Sequence, residues 1–279
     1  QMVVVRNVRV LGLLVLACAV FCVSAHAGEL DRFQGMEGTL DIAGGTAHIP
    51  VMKEAAQKIM TSNPRIKITI AAGGSGVGVQ KVGEGMVGIG NTGRALSQAE
   101  IEKFGLKSFP FAIDGVAVAV NPENPISELT SSQVQDIFSG KIKNWKDLGG
   151  KDAIINLYTR DEASGTREVF WDILLKKGQV DKSANVVASN GAMKLALSKD
   201  PNGIGYVGIG HVDKTIKAVK LEGTIPSQQN AAEGSYKVTR KLYMNTKGEP
   251  EGLTKAFVEY VKGPDGAVFI EKSGYIPLK

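Results

Sequence analysis

Thr159-Arg160-Asp161-Glu162-Ala163-Ser164-Gly165-Thr166-Arg167 joins two runs of different periodicity. Upstream, residues 153–158 read as a strand; downstream, residues 169–177 read as a helix. Ser164 is the residue type that caps a helix by accepting from an amide of its first turn. The amides of Gly165, Thr166 and Arg167 are then donors without an intrahelical acceptor. A helix start carries roughly half a positive charge and suits an oxyanion. Arg160, just upstream, adds a planar fork of donors. Such a corner is either an ordinary capped helix or part of an anion pocket, and spacing alone leaves both open.

The same corner recurs in the flanking sequence. Residues 38–43 read as a strand, and Gly44-Gly45-Thr46-Ala47-His48-Ile49-Pro50 as a turn. Val51, Met52, Ala55, Ala56, Ile59 and Met60 then share one helical face, which Asn63-Pro64 ends. Residues 66–70 alternate as a strand, Gly73-Gly74-Ser75-Gly76 turns, and Val79, Val82 and Met86 stripe a helix. The glycine-rich turn lacks the Lys-Ser/Thr of a P-loop and the later acid of a dinucleotide site. A short strand at 87–90 runs into Asn91-Thr92-Gly93-Arg94, and Ser97 with Glu100 forms a capping box. Residues 116–120 read as a buried strand broken by Asn121-Pro122. Ser189-Asn190-Gly191-Ala192 opens another helix, and strands follow at 203–208 and 239–245. Leu253, Phe257 and Val261 line a last helical face. Alternating strands and helices predict an α/β fold with mainly parallel sheets and a ligand beyond the strand carboxyl ends. Three corners carrying Ser/Thr and Gly point to one shared anion pocket.

At the N-terminus, Arg6 and Arg9 precede an apolar run at 10–23, and Ala25-His26-Ala27 follows. This reads as a signal peptide, 1–27, cleaved after Ala27. Lipidation at Cys18 would require the bulky Leu16 to fit a small-residue position. Cleavage removes Cys18 and Cys22, so the exported chain relies on its core rather than on disulfides. It also removes two arginines, taking the formal net charge from +5 to +3. That balance is too mild to imply nucleic acid or anionic lipid. His48 and His211 stand far apart, with no metal-ligand spacing. His48 is expected at the surface of a helix start, and Trp145 in a packed core. A phosphatase would need an activated nucleophile or a metal cluster. A scaffold that binds no small ligand is the other alternative.

Arg160-x-Glu162-x-Ser164-Gly165-Thr166, Asp114-Gly115 with Asn121-Pro122, and Gly140-Lys141-Ile142-Lys143-Asn144-Trp145 together carry a family resemblance. Gly203-Ile204-Gly205-Tyr206-Val207 and Gly274-Tyr275-Ile276-Pro277 complete it. The chain resembles the periplasmic phosphate-binding proteins of high-affinity phosphate ABC transporters. The resemblance implies a hinged, two-lobed type II periplasmic binding protein fold, each lobe a mainly parallel sheet flanked by helices. Residues 28–120 plus 224–279 are expected as lobe I and 121–223 as lobe II. It implies an extracytoplasmic, periplasmic receptor that delivers phosphate to a membrane permease and needs no cofactor. A monomer is expected. The carried-over contacts are Thr46, Ala47, Ser75, Arg160, Ser164, Gly165, Thr166 and Asn190, with Glu162 orienting Arg160. Two departures affect selectivity: Gly88 and Gly93 stand where relatives commonly carry an acid, or Asp or Ser. Thr92 and Arg94 are therefore added as contacts, and sulfate or molybdate is the alternative ligand.

Overall fold

The computed structural model describes residues 28–278. The expected signal peptide, with both cysteines, lies outside the described residues. The chain runs through β1 (Gly38–Gly44), α1 (Ile49–Ser62), β2 (Ile66–Ala72), α2 (Gly74–Gly83), β3 (Ile89–Thr92), α3 (Gln98–Phe104) and the long β4 (Leu106–Val120). A second group holds β5 (Glu128–Leu129), α4 (Ser131–Phe138), β6 (Asn156–Arg160), α5 (Gly165–Val169), β7 (Asn185–Val187) and α6 (Asn190–Lys199). It continues with β8 (Gly203–Gly208), β9 (Lys217–Ala218), β10 (Lys220–Leu221) and α7 (Gln228–Ala232). The chain returns through β11 (Thr239–Lys247), α8 (Gly252–Lys262), α9 (Pro264–Lys272) and β12 (Ile276–Pro277).

Local sequence explains these elements. In α1, Pro50 occupies the first turn, where its missing N–H costs nothing. Val51, Met52, Ala55, Ala56 and Ile59 are buried on its inner face. Asn63 ends it and donates to the carbonyls of Phe33 and Met36, both at 2.8 Å. The helix expected at 169–177 starts earlier, at Gly165, and passes into a π-helical turn over Phe170–Leu174. Lys176 and Lys177 then adopt positive φ and end it.

The main sheet has the order β2-β1-β3-β11-β4-β8-β6-β7. Its outer pairs are parallel: β1 with β2 and β3, and β6 with β7 and β8. The two central strands are antiparallel to their partners. Strand β4 belongs to both ends. Its residues 106–115 pair with β11, whereas 116–120 pair with β8. Val116 to Val120 are each no more than 1 % exposed, which is why they form an unbroken apolar run rather than an alternating one.

Two cores flank the central strands. One gathers Ile42, Val51, Met52, Leu242, Phe257 and Tyr260 around β1–β3 and the C-terminal helices. The other gathers Val118, Phe138, Trp145, Phe170, Ile204 and Tyr206. Trp145 is a packing residue: it is buried, and its Nε1 donates to the Asn202 carbonyl at 3.0 Å. The fold is thus the two-lobed α/β architecture. We propose lobe boundaries at 115/116 and 238/239, a few residues from the expected 120/121 and some way from the expected 223/224. Val116, Val118 and Val120 already pack in the second core, and Tyr236 and Val238 still do. Val116 donates to the Val238 carbonyl at 2.8 Å, so the two proposed crossings lie side by side. Asn121-Pro122 ends β4. The polar stretch at 223–234 holds α7, capped by Ser227.

Candidate functional site

A small cavity is lined by Gly45, Thr46, Ala47, His48, Gly74, Ser75, Gly93, Arg160, Ser164, Gly165, Thr166 and Arg240. Three strand-to-helix corners converge on it. The first leaves β1 and reaches α1 through Thr46 and Ala47; Tyr275 of the closing segment donates to the Ala47 carbonyl at 2.7 Å and holds it. The second leaves β2 and opens α2 at Gly74, whose φ of +82° favours glycine. The third leaves β6 at Arg160 and opens α5 behind the Ser164 cap, whose Oγ accepts from Arg167 N at 3.2 Å.

The corners touch. Gly76 N donates to the Ala163 carbonyl at 3.0 Å. Asn190, at the start of α6, donates through its backbone N (3.2 Å) and Nδ2 (3.0 Å) to Thr46 Oγ1. A Cβ on Gly165 would overlap Ser75 Oγ. The cleft between the two cores is closed.

Arg160 is 2 % exposed. Its backbone is fixed by Tyr206, whose hydroxyl accepts from Arg160 N at 3.1 Å and lies 2.9 Å from Thr159 Oγ1. Phe170 stacks on the Tyr206 ring at 4.0 Å and 12°, so the π-turn after α5 buttresses β6. Among the described residues the guanidinium has one partner, the Ala188 carbonyl at 3.1 Å from Nη2. Nε and Nη1 are buried without an acceptor. Burial works against this charge, and the nearby Asp161 carboxylate offsets that only in part. A buried cation with unused donors calls for an anion.

The hydroxyls face the same way. Thr46 Oγ1 accepts twice from Asn190. Ser75 Oγ accepts from Gly93 N at 3.0 Å. Thr166 Oγ1 accepts from Arg240 Nη1 at 2.9 Å and from Asn190 Nδ2 at 3.4 Å. Together with the capping Ser164, each oxygen already serves as an acceptor, and its own hydrogen remains available to donate. No carboxylate is among the lining residues.

The cavity thus gathers Thr46, Ala47, Ser75, Arg160, Ser164, Gly165 and Thr166. Asn190 lies behind it, braced by Thr46, Thr166 and Gly208 N. Thr92 and Arg94 do not line it. Thr92 Oγ1 donates to the Arg94 carbonyl at 2.8 Å. The Arg94 fork is spent on Glu100, at 2.8 and 2.7 Å, and its Nε meets Glu168 of α5 at 2.7 Å. Glu162 is exposed and does not orient Arg160. Gly88 lies away from the cavity, against Leu40 and Thr254. A larger groove lined by Arg32, Phe109, Glu249, Lys255 and Glu259 mixes both charge signs.

The Arg94–Glu168 pair ties the two sides of the closed cleft. Glu168 is half exposed, so the pair is worth at most about 1 kcal/mol. Glu168→Gln is expected to weaken ligand binding about two- to fivefold at low salt and less at high salt, with the melting temperature unchanged. Titration calorimetry at two salt concentrations reads this out.

Two residues were not anticipated. Arg240 comes from β11, and His48 is fully buried rather than at the surface. His48 packs on Phe111 at 5.5 Å, and its Nε2 is 3.1 Å from the Tyr243 carbonyl. Burial, then the Arg240 charge, pushes His48 down to about 3. Burial, then Lys194 and Arg240, pushes His211 down to about 4. Unfolded histidines bind protons below about 6.5, and these folded ones refuse them until much lower pH. Stability therefore falls as pH drops below about 6.5, by up to roughly 1.4 kcal/mol per unit for each histidine, and levels off near the folded values. Urea midpoints are expected to drop between about pH 7 and pH 5; equal midpoints would contradict it.

The PBP superfamily domain matches residues 34–264. The phosphate-binding protein PstS of Bacillus subtilis is 36 % identical over 98 % of this chain and 95 % of its own length. That of Borreliella burgdorferi is 30 % identical over 88 % of this chain and 92 % of its own. Among solved structures, one from Clostridium perfringens is described as a candidate phosphate ABC transporter substrate-binding protein with bound phosphate. It shares a TM-score of 0.82 and 32 % identity, covering 87 % of this chain and 100 % of that one. An ABC-type phosphate transport receptor from Vibrio cholerae shares a TM-score of 0.68 and 32 % identity, covering 85 % and 99 %.

Proposed function

The chain belongs to the PBP superfamily, within the phosphate-binding proteins PstS, and from that premise we propose that it captures inorganic phosphate for an ABC transporter. It is a receptor and not an enzyme. The carrying observation is Arg160, buried with two unused donors in a cavity lined by the hydroxyl residues Thr46, Ser75, Ser164 and Thr166.

Capture follows from the donor set. A dianion leaving water needs many hydrogen bonds, and charge-assisted ones are the stronger. Arg160 supplies the charge, while Thr46, Ser75, Ser164 and Thr166 supply hydroxyls. Ala47 and Gly165 contribute amides from helical first turns, which lack intrahelical acceptors. These neutral groups bring no counter-charges that would also have to be desolvated. Bringing the two lobes together excludes water and joins the contacts of both sides. The closed receptor then docks on a membrane permease as a monomer, outside the cytoplasm, after export through a signal peptide at 1–27.

One observation favours another tetrahedral oxyanion, such as sulfate or molybdate: no carboxylate lines the cavity to take the proton of hydrogen phosphate. Titration calorimetry with phosphate, arsenate, sulfate and molybdate decides. Phosphate and arsenate are expected to bind together and most tightly. A stronger sulfate response would move the assignment to the second reading, and no heat with any of them would end both.

A further inference from the structure

Arg240 enters the cavity from neither of the lobes' helix corners but from β11, one of the two central strands. We propose that Arg240 is a second anion-binding residue, held in place by Asp114, so that the bound oxyanion is gripped by the strands that join the lobes as well as by the corners. The proposal rests on the oxyanion-receptor reading above and adds a contact to it.

The placement of the guanidinium supports this. Arg240 and Asp114 are directly opposite in the β11–β4 ladder. Nε and Nη2 both donate to Asp114 Oδ2, at 2.9 and 2.7 Å, and the two side chains are 3 % and 0 % exposed. Those bonds fix the plane of the fork and turn Nη1 to the opposite side. Nη1 donates one hydrogen to Thr166 Oγ1 at 2.9 Å, and the other has no acceptor among the described residues. A Cβ on Gly93 would come within 2.6 Å of Nη1, so the bare Cα of Gly93 makes the room into which the guanidinium extends. A purely structural ion pair would not need to reach a cavity already lined by Arg160.

The charges are informative as well. Among the described residues Arg160 has no carboxylate within salt-bridge range, whereas Arg240 is neutralised by Asp114, so the three groups leave one net positive charge. Replacing both members of the pair by neutral amides preserves that balance. It removes the Nη1 donor without leaving a buried charge alone, which is what makes single substitutions at such pairs unfold proteins. The deciding variant is therefore the double Asp114→Asn/Arg240→Gln, with circular dichroism and a melt to establish that it folds.

Calorimetry with inorganic phosphate is expected to give at least a tenfold loss of affinity in the folded double variant. Wild-type affinity, within twofold, would overturn the proposal and leave Arg240 as a strut for Asp114. A double variant that does not fold is replaced by Gly93→Ala, whose methyl group pushes Nη1 aside while leaving both charges and adding no polar group; the same tenfold loss supports the contact, and unchanged affinity overturns it. Were the wild type silent to phosphate but responsive to sulfate or molybdate, the phosphate reading would fail. The comparison is then made with that anion, and the same loss is required. Silence to every tetrahedral oxyanion would overturn both.

Discussion

Replacing Arg160 with alanine is expected to weaken phosphate binding by about 2–5 kcal/mol, roughly thirty- to a few-thousandfold. The magnitude follows from burial. Arg160 is 2 % exposed, and the environment opposes its charge. Two of its donor nitrogens find no acceptor among the described residues. Such a group costs stability while the site is closed and empty, and repays it only when an anion arrives. The variant should therefore show two opposite changes. Affinity falls steeply, and the melting temperature without ligand stays level or rises. A merely structural arginine would lower the melting temperature and leave affinity alone. Arg160→Lys keeps the charge but loses the fork that Nε and Nη1 provide, so it should recover only part of the loss. Calorimetry and a ligand-free melt on both variants are sufficient. Unchanged phosphate affinity in Arg160→Ala would remove this residue from the site.

The corners were legible in the chain because each is written locally. Periodicity switches from two to helical spacing across a few glycines and hydroxyls, and the geometry follows from those residues alone. What escaped depends on distant partners. His48 reads as an exposed helix-start residue, yet its imidazole meets the Tyr243 carbonyl, 195 residues away. Arg94 reads as a spare cation beside the pocket. Glu100 was within view, but Glu168 reaches it only once the two cores face each other. The signal for Arg240 was its parity: it shares the inward register of β11 with Leu242 and Met244, which are fully buried. A cation at such a position needs a partner, and Asp114 was the acid in the strand that pairs with it. The first part of β4 was hidden by Pro110, which breaks a strand pattern. The ladder accommodates it beside an irregularity between Leu242 and Tyr243.

Gly165→Ala is expected to cost about 3 kcal/mol of binding, on the order of 100-fold, without destabilising the protein. Gly165 is the first residue of α5, and its φ lies outside the left-handed region, so the lobe that carries it tolerates a methyl group. Alanine there is also a better helix former than glycine, which favours stability slightly. The obstacle is on the other side of the cleft. The new Cβ would overlap Ser75 Oγ and stand 3.2 Å from Ser75 Cβ and 3.3 Å from Gly93 N. Ser75 cannot simply rotate away, because its Oγ accepts from Gly93 N at 3.0 Å and holds that corner in shape. The methyl group therefore wedges two corners that must meet around the anion, and donors set for closed-state distances no longer reach together. This separates the site from the fold in a single substitution. If binding requires the corners to close to contact, affinity falls while the melting temperature holds. Should Gly165→Ala bind phosphate as tightly as the wild type, the anion is held without that contact, and convergence of the three corners is not what makes the site.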